Sequence, residues 1–519
     1  MSQYNAAAWL LDRHLDEGGG DRIAIRHDGQ SSTYADVLAD AMRLQVALGD
    51  LGFEPGDRIA MVVNDEPGFV SLFLGAQRGG FVPVPLSTML SAPELAPIIA
   101  DSAAKALAVS AEYEAHIEAV AARCPSLRHA IVFGRPGLGA PDGVEVHAAA
   151  SFRPPSNEPP VAATTKDSRA FWLYSSGTTG SPKGVMHTHG NLQATADSYA
   201  AQVLKVSADD RFLSVAKLFF AYGLGNSLTF PFAVGATTIL DARRPTPAGI
   251  VDTLVAERPT LFFAAPGFVA ALLDADPDPS VFASVRASVT AGEALPEPLQ
   301  RRFSERFDHP VLDGIGSTEA LHIFISNTLD HQEPGTSGVA VPGYELQLRD
   351  DTAQIVDAAD TPAYLHVRGA STASGYWQRP EATAAAFLPE GWLRTGDVYE
   401  RSDTGYWTFL GRNSDMIKAG GIWVSPAEIE SVLIEHATVL EAAVVGARNR
   451  DGLEMPVAFV VASTGHSIDE AELEQHCRDR MAAFKRPRRI VVVGELPKTA
   501  TGKIRRFALR DSLDQPDTT

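Results

Sequence analysis

Cysteine is almost missing from this sequence: Cys124 and Cys477 are the only two among 519 residues. Two thiols are too few for a disulfide framework, and they lie too far apart along the chain to read as a metal pair, so a reducing, cytoplasmic setting is expected. Long apolar runs are missing as well. No uncharged stretch approaches the roughly 20 residues that cross a bilayer. The opening residues, Met-Ser-Gln-Tyr-Asn-Ala-Ala-Ala-Trp-Leu-Leu-Asp, lack the basic leader and cleavable apolar core of a secretory signal. Positive charge is the third deficit: 44 Lys and Arg face 64 Asp and Glu, a net charge of −20. A field of that sign repels nucleic acid and anionic lipid, so neither a nucleic-acid nor a membrane partner is expected. Internal repeats of solenoid period are absent too.

What remains is ordinary globular material, 45% apolar and 21% charged, long enough for two to four domains and a large core. Asn5 is placed to cap a helix ending near Leu15, which Gly18-Gly19-Gly20 stops. The apolar run 23–25, the turn at Asp28-Gly29 and the run 31–33 predict a hairpin, after which Thr33 caps a helix reaching about Gly49. From Pro55-Gly56 onward strands and helices alternate: strand 59–63, helix 68–79, strand 81–85, helix 92–102, strand 106–109. Alternation of this kind predicts an α/β fold with largely parallel sheets covered on both faces. A Pro- and Thr-rich connector spans 153–165, and the alternation resumes over 255–273 and 282–290.

Between them lies the most informative stretch, residues 174–184: Tyr-Ser-Ser-Gly-Thr-Thr-Gly-Ser-Pro-Lys-Gly. Apolar residues on both sides, Phe171-Trp172-Leu173 and Val185-Met186, make it a strand, a loop and a second strand. Gly177 and Gly180 let backbone N–H groups approach an anion, Ser175, Ser176, Thr178 and Thr179 add rotatable hydroxyl donors, and Lys183 supplies a compact charge. A flexible surface turn would account for the glycines but not for so many phosphate-seeking groups around one lysine. The spacing is not that of a Walker A loop, because no Gly-Lys-Ser/Thr opens a helix.

This loop resembles the phosphate loop of the adenylate-forming superfamily, which includes acyl- and aryl-CoA ligases and stand-alone adenylation domains. The resemblance covers nearly the whole chain and recurs in family order. It implies a large N-terminal adenylation domain of several α/β subdomains, residues 1–412, and a small, mobile α+β C-terminal domain, residues 413–519. It also implies ATP, Mg²⁺ and coenzyme A as cofactors and a small carboxylic acid as substrate. Lys217-Leu218-Phe219-Phe220-Ala221-Tyr222-Gly223-Leu224-Gly225-Asn226 is similar to the motif lining the acyl pocket, with wording close to benzoate-CoA ligases, so Phe220, Ala221, Tyr222 and Gly223 are its expected wall. Gly292, Glu293 and Ala294 stand where the family sets adenine against backbone. In Asp313-Gly314-Ile315-Gly316-Ser317-Thr318-Glu319 the family's backbone flanks adenine, the Thr contacts phosphate and the Glu serves the metal. Glu319, with Thr178 as partner, is therefore the expected Mg²⁺ residue, in keeping with that ion's preference for hard oxygens. Gly316, His322 and Ile323 would close the aryl pocket, and Asp397 and Arg412 would hold the ribose.

The closing segment, residues 496–506, resembles the family's last motif and carries Lys503. A carboxylate attacking ATP brings two anions to about 3 Å, a repulsion on the order of 5 kcal/mol at an effective dielectric of about 20, and the Lys503 ammonium would offset it. In the family the small domain then turns, presenting Lys418, Gly420 and Gly421 to the thiol's path. One departure concerns the hinge: Ser414 stands where many members have Asp. Benzoate, or a close substituted benzoate, is the expected acid. Two acceptors stay open, coenzyme A, which the basic residues Lys485, Arg486, Arg488 and Arg489 could meet, and an acyl carrier protein. A homodimer is also left open. The acidic tail from Asp511 is expected to fray.

Overall fold

The computed structural model describes residues 2–176, 182–419, 422–448, 454–498 and 504–514. Its elements begin where local chemistry sets them. Asn5 Oδ1 accepts from the amides of Ala7 and Ala8 at 3.0 and 3.3 Å, starting the first helical segment. Thr33 closes a capping box with Asp36 at the head of the helix Tyr34–Asp50. Ser91 and Glu94 do the same for the helix Ala92–Ser102. The hairpin, caps and alternating elements up to Ser110 thus lie where the sequence puts them, within a residue or two.

Among the described residues the large domain contains two mostly parallel sheets. One is fully parallel, in the order 82–85, 58–62, 106–110, 129–133, 145–148. The other has nine strands, with a parallel centre in the order 311–316, 287–290, 261–264, 211–214, 237–240, 23–27 and antiparallel strands at both ends. Buried aliphatic and aromatic side chains fill both faces, Phe69, Phe73 and Phe171 in one cluster and Phe212, Phe230 and Phe263 in another. A four-stranded antiparallel sheet, 345–349, 363–368, 393–401 and 407–412, completes this domain. The sequence reading did not resolve that sheet.

The smaller C-terminal unit is α+β. Strands Val439–Arg448, Glu454–Ala462 and Arg489–Val492 pair, with helices Pro426–Ile434 and Glu470–Arg480 packed on them around Ile429, Leu433 and Leu473. One expectation is corrected here. The helix Arg506–Asp514 runs through Asp511, because Leu509 and Leu513, one turn apart, pack on the sheet beside Val445 and Phe459, while the rest of the expected frayed tail, 515–519, lies outside the described residues. None of the helices among the described residues is long and apolar enough to cross a membrane.

Candidate active site

Three of the motifs named above leave the sheet at the same edge. Residues 215–223 follow strand Arg211–Ser214, residues 291–295 follow strand Ala287–Thr290, and residues 317–319 follow strand Val311–Gly316. All three strands run parallel in one sheet, so the motifs gather outside its carboxyl ends, where open α/β sheets present their ligands. Thr290 and Asp313 are register partners, and Thr290 Oγ1 donates to Asp313 Oδ1 at 3.0 Å. Asp313 is buried, which pushes its carboxyl up to about 7, so much of it is protonated near neutral pH.

The loop's stem is the antiparallel pair Arg169–Ser176 and Pro182–Thr188, with Ser175 opposite Lys183. Residues 374–377 lie along its outer side: Ser374 N donates to Met186 O, Met186 N to Gly375 O, and Trp377 N to Gly184 O. Asp101 ties stem and strap together, accepting from Tyr174 Oη at 2.8 Å and from Arg379 at 2.6 Å while its carbonyl receives the Trp377 indole N–H at 3.0 Å. Trp377 packs against Trp172 at a tilt of 32°, with ring centroids 4.6 Å apart. Gly177, Thr178, Thr179 and Gly180 lie outside the described residues, as do Gly420, Gly421 and Lys503; the Ser176 and Lys418 side chains lie outside them as well.

Glu319 is the meeting point. Its Oε1 accepts from Ser175 Oγ at 3.3 Å and from Tyr376 Oη at 3.0 Å, and its carbonyl accepts the Ala373 amide. Lys183 Nζ stands 5.1 Å over the Tyr376 ring, a cation–π contact that joins the loop lysine to the same cluster. The neighbouring Thr318 carbonyl is held by His187 Nε2 at 2.8 Å. His187 is fully buried and stacked on Phe171, and burial pushes it down to about 4, so it works as a neutral donor. The Glu319 carboxylate offers hard oxygens of the kind Mg²⁺ selects.

Asp397 pairs with Arg412 across the antiparallel strands, Oδ1 to Nε at 3.0 Å, and Arg412 also donates to Thr395 O. The Asp397 charge is the main reason the Arg412 guanidinium is held above its usual range, and Glu319 adds to it. Glu293 accepts the amide of Ile504 at 2.8 Å, bringing the C-terminal segment to the 292–294 motif.

His322, one of the expected aryl pocket residues, lies at the centre of an aromatic cluster that includes a second, Tyr222. His322 is 3% exposed, meets Asn226 Oδ1 through Nε2 at 3.1 Å, and is enclosed by Tyr199, Tyr222 and Phe230. Burial pushes its imidazole down to about 3, leaving it neutral. Two glycines make room for it: a Cβ on Gly225 would lie 2.3 Å from the ring, and one on Gly316 would lie 2.4 Å from the His322 carbonyl. Tyr222 Oη donates to Val289 O at 2.9 Å, Phe220 and Ala221 are half-buried beside it, and Ile323 is buried. A Cβ on Gly223 would meet the Lys217 carbonyl at 2.0 Å, so glycine there serves the turn itself. Asp65, buried, accepts the Leu218 amide at 3.1 Å and steadies that turn.

Sequence reasoning missed Tyr376, Asp101, His187 and Asp65, and it gave Asn226, the last residue of the 217–226 stretch, no role of its own. Each acts through a partner distant in the chain, and only the aromatic-glycine run Gly375-Tyr376-Trp377 gave a local hint. Of the four basic residues proposed for CoA phosphates, Lys485 is paired with Glu428 at 2.7 Å and Arg486 is bonded to the Met481 and Arg478 carbonyls, while Arg488 and Arg489 are exposed.

Residues 11–377 match the AMP-binding enzyme family and residues 428–503 the AMP-binding enzyme C-terminal domain. The chain is 44% identical over 516 residues to benzoate–CoA ligase of Thauera aromatica, covering 98% of this chain and 96% of that protein. Its fold is similar to the crystal structure of a benzoate CoA ligase from Burkholderia xenovorans LB400, at 40% identity and a TM-score of 0.89 over 98% of this chain and 100% of that one. It is also similar to the anthranilate CoA ligase AuaEII in complex with anthranoyl-AMP, at 36% identity and a TM-score of 0.93 over 98% and 97% of the two chains.

Proposed function

Since the chain belongs to the AMP-binding enzyme family, we propose that it is an AMP-forming acid–thiol ligase that activates benzoate, or a close substituted benzoate, and transfers the aryl group to coenzyme A. The carrier-protein alternative is not favoured, because two relatives at 44% and 41% identity, covered over 96% and 94% of their length, are CoA ligases. The single observation that carries the reading is the convergence on Glu319 of the loop-stem residue Ser175 and the strap residue Tyr376, whose ring carries Lys183.

The chemistry follows from the residues. The carboxylate of the acid attacks the α-phosphorus of ATP, the bond to the β,γ-diphosphate breaks, and an aryl adenylate forms with release of pyrophosphate. The backbone and hydroxyls of residues 175–180, with Lys183, would cradle the phosphates; Gly292 to Ala294 and Asp313 to Thr318 would flank the adenine; Asp397 with Arg412 would hold the ribose. A Mg²⁺ ion on the nucleotide would be held by Glu319, with Thr178 as a further oxygen, and would neutralise phosphate charge. Lys503 would offset the repulsion between the two anions, a reading supported by the Ile504 amide on Glu293. In the second step the thiol of coenzyme A attacks the acyl carbon and AMP leaves with the electron pair of the broken anhydride bond, Lys418, Gly420 and Gly421 lining the thiol's approach. The ring would sit against Phe220, Ala221, Tyr222, Gly223, Gly316, His322 and Ile323. A neutral, apolar wall of this kind separates ring substituents by only about 1–3 kcal/mol, so small substituted benzoates should also be accepted. A cytoplasmic location is supported by two buried, unpaired thiols.

The test is direct: incubate the protein with ATP, Mg²⁺ and a panel of aryl acids, offer coenzyme A or a phosphopantetheinylated carrier protein, and identify the thioester by mass. Benzoyl-CoA with stoichiometric AMP and pyrophosphate is expected. Thioester on the carrier protein alone, or no pyrophosphate with any aryl acid, would contradict the reading.

A further inference from the structure

The fully parallel sheet has a free edge at strand Glu145–Ala148, opposite the edge where strand Val82–Pro85 packs against the phosphate-loop stem. On the free edge three side chains converge. His129 stands in register with Glu145 on the neighbouring strand, and His147, two residues further, shares the Glu145 face. His129 Nδ1 and His147 Nε2 are 3.4 Å apart, and Glu145 Oε2 lies 3.7 Å from the first and 3.8 Å from the second.

Two ligand atoms bound at about 2.05 Å in tetrahedral directions are about 3.3 Å apart. The two imidazole nitrogens already have that spacing, which is long for a hydrogen bond between them. The Glu145 side chain is 73% exposed, so a small rotation brings its oxygen in, while the two His side chains, 16% and 22% exposed, are fixed by packing. The Leu51 carbonyl lies near the His129 ring. Phe152 packs 5.8 Å from His147 on the other side. The neighbouring Arg128 guanidinium is turned to the Pro125 and Leu127 carbonyls.

We propose that His129, Glu145 and His147 form a binding site for a divalent transition ion of the Zn²⁺ class, with its fourth position open to water. Two nitrogens and one carboxylate suit Zn²⁺, Co²⁺ or Ni²⁺ and not Mg²⁺, which takes oxygen and keeps its waters. The site therefore discriminates against the ion that nucleotide chemistry uses. An ion here would clip the edge strand to its neighbour.

The experiment uses the full-length protein. Zn²⁺ affinity is measured by competition with a chromophoric chelator, and Co²⁺ is titrated for the visible absorption of tetrahedral coordination. The wild type should take up one ion with that absorption. His147→Gln and Glu145→Gln should each weaken Zn²⁺ binding at least about tenfold. Both variants should keep the wild-type circular dichroism and Mg²⁺-dependent pyrophosphate release; Glu145→Gln alters an exposed side chain and so reports on binding even if His147→Gln destabilises the sheet. No ion taken up by the wild type, or equal affinity in wild type and Glu145→Gln, would overturn the proposal.

Discussion

Tyr376 and Asn226 show what single side chains contribute at this site, and both act by holding another residue. Tyr376 Oη donates to Glu319 while its ring lies under Lys183. Tyr376→Phe keeps the ring and removes the donor. A hydrogen bond to a charged group contributes about 1.5–3 kcal/mol, so pyrophosphate release should slow by about 10- to 150-fold, with a higher Mg²⁺ requirement. A rate and Mg²⁺ dependence equal to wild type would show that Glu319 needs no such orientation. Asn226→Ala strands the buried His322 nitrogen, at a cost of about 1–3 kcal/mol. The denaturation midpoint should fall and KM for benzoate should rise while KM for ATP stays near its wild-type value. These holding residues were not legible in the sequence, because Tyr376 is 57 positions from Glu319 and Asn226 is 96 from His322. Glu319 and His322 themselves were legible, since each sits in a contiguous motif.

At the scale of elements, the stem of the expected phosphate loop is a short antiparallel pair whose stiffness comes from outside it. Asp101, on the helix Ala92–Ser102, receives Tyr174 from the stem and Arg379 from the strap. Asp101→Ala loses both side-chain links and keeps the carbonyl contact to Trp377. KM for ATP should rise severalfold and stability should drop by about 1–3 kcal/mol. Unchanged ATP binding would mean the strap alone fixes the stem. The elements themselves were largely readable, because caps such as Thr33 with Asp36 and the strand–helix alternation up to Ser110 are local signals. The sheet of 345–349, 363–368, 393–401 and 407–412 was not, since its strands are antiparallel, partly exposed and joined by long connections. The C-terminal helix likewise owes its length to tertiary packing of Leu509 and Leu513, which the acidic composition around them conceals.

The whole molecule is a large α/β body with a small α+β unit resting on the carboxyl ends of its central strands. Contacts between the two include Ile504 N to Glu293, Thr464 to Asp274 and Ser425 Oγ to the Leu410 carbonyl. A cleft of about 480 Å³ opens along this seam, between residues 294–297 on one side and 425–432 on the other. With the expected boundary between 412 and 413, the connection between the units would pass through Ser414, beside which the last helix reaches back: Arg510 pairs with Asp415 at 3.1 Å. Proline at 414 fixes its own φ and restricts Asn413. Ser414→Pro should therefore leave adenylate formation near wild type and block transfer to coenzyme A, as followed by separate pyrophosphate and thioester assays; equal loss of both would place the pivot elsewhere. Lys503 carries the largest claim, that a cation delivered by the small unit cancels the repulsion between acid and nucleotide. Lys503→Ala, assayed for each half-reaction separately, tests it most directly. The account predicts that pyrophosphate release from ATP and benzoate falls by on the order of a thousandfold, about 4 kcal/mol, while benzoyl-CoA still forms from supplied benzoyl adenylate at a rate near wild type. Parallel loss of both half-reactions, or survival of the first, would contradict it.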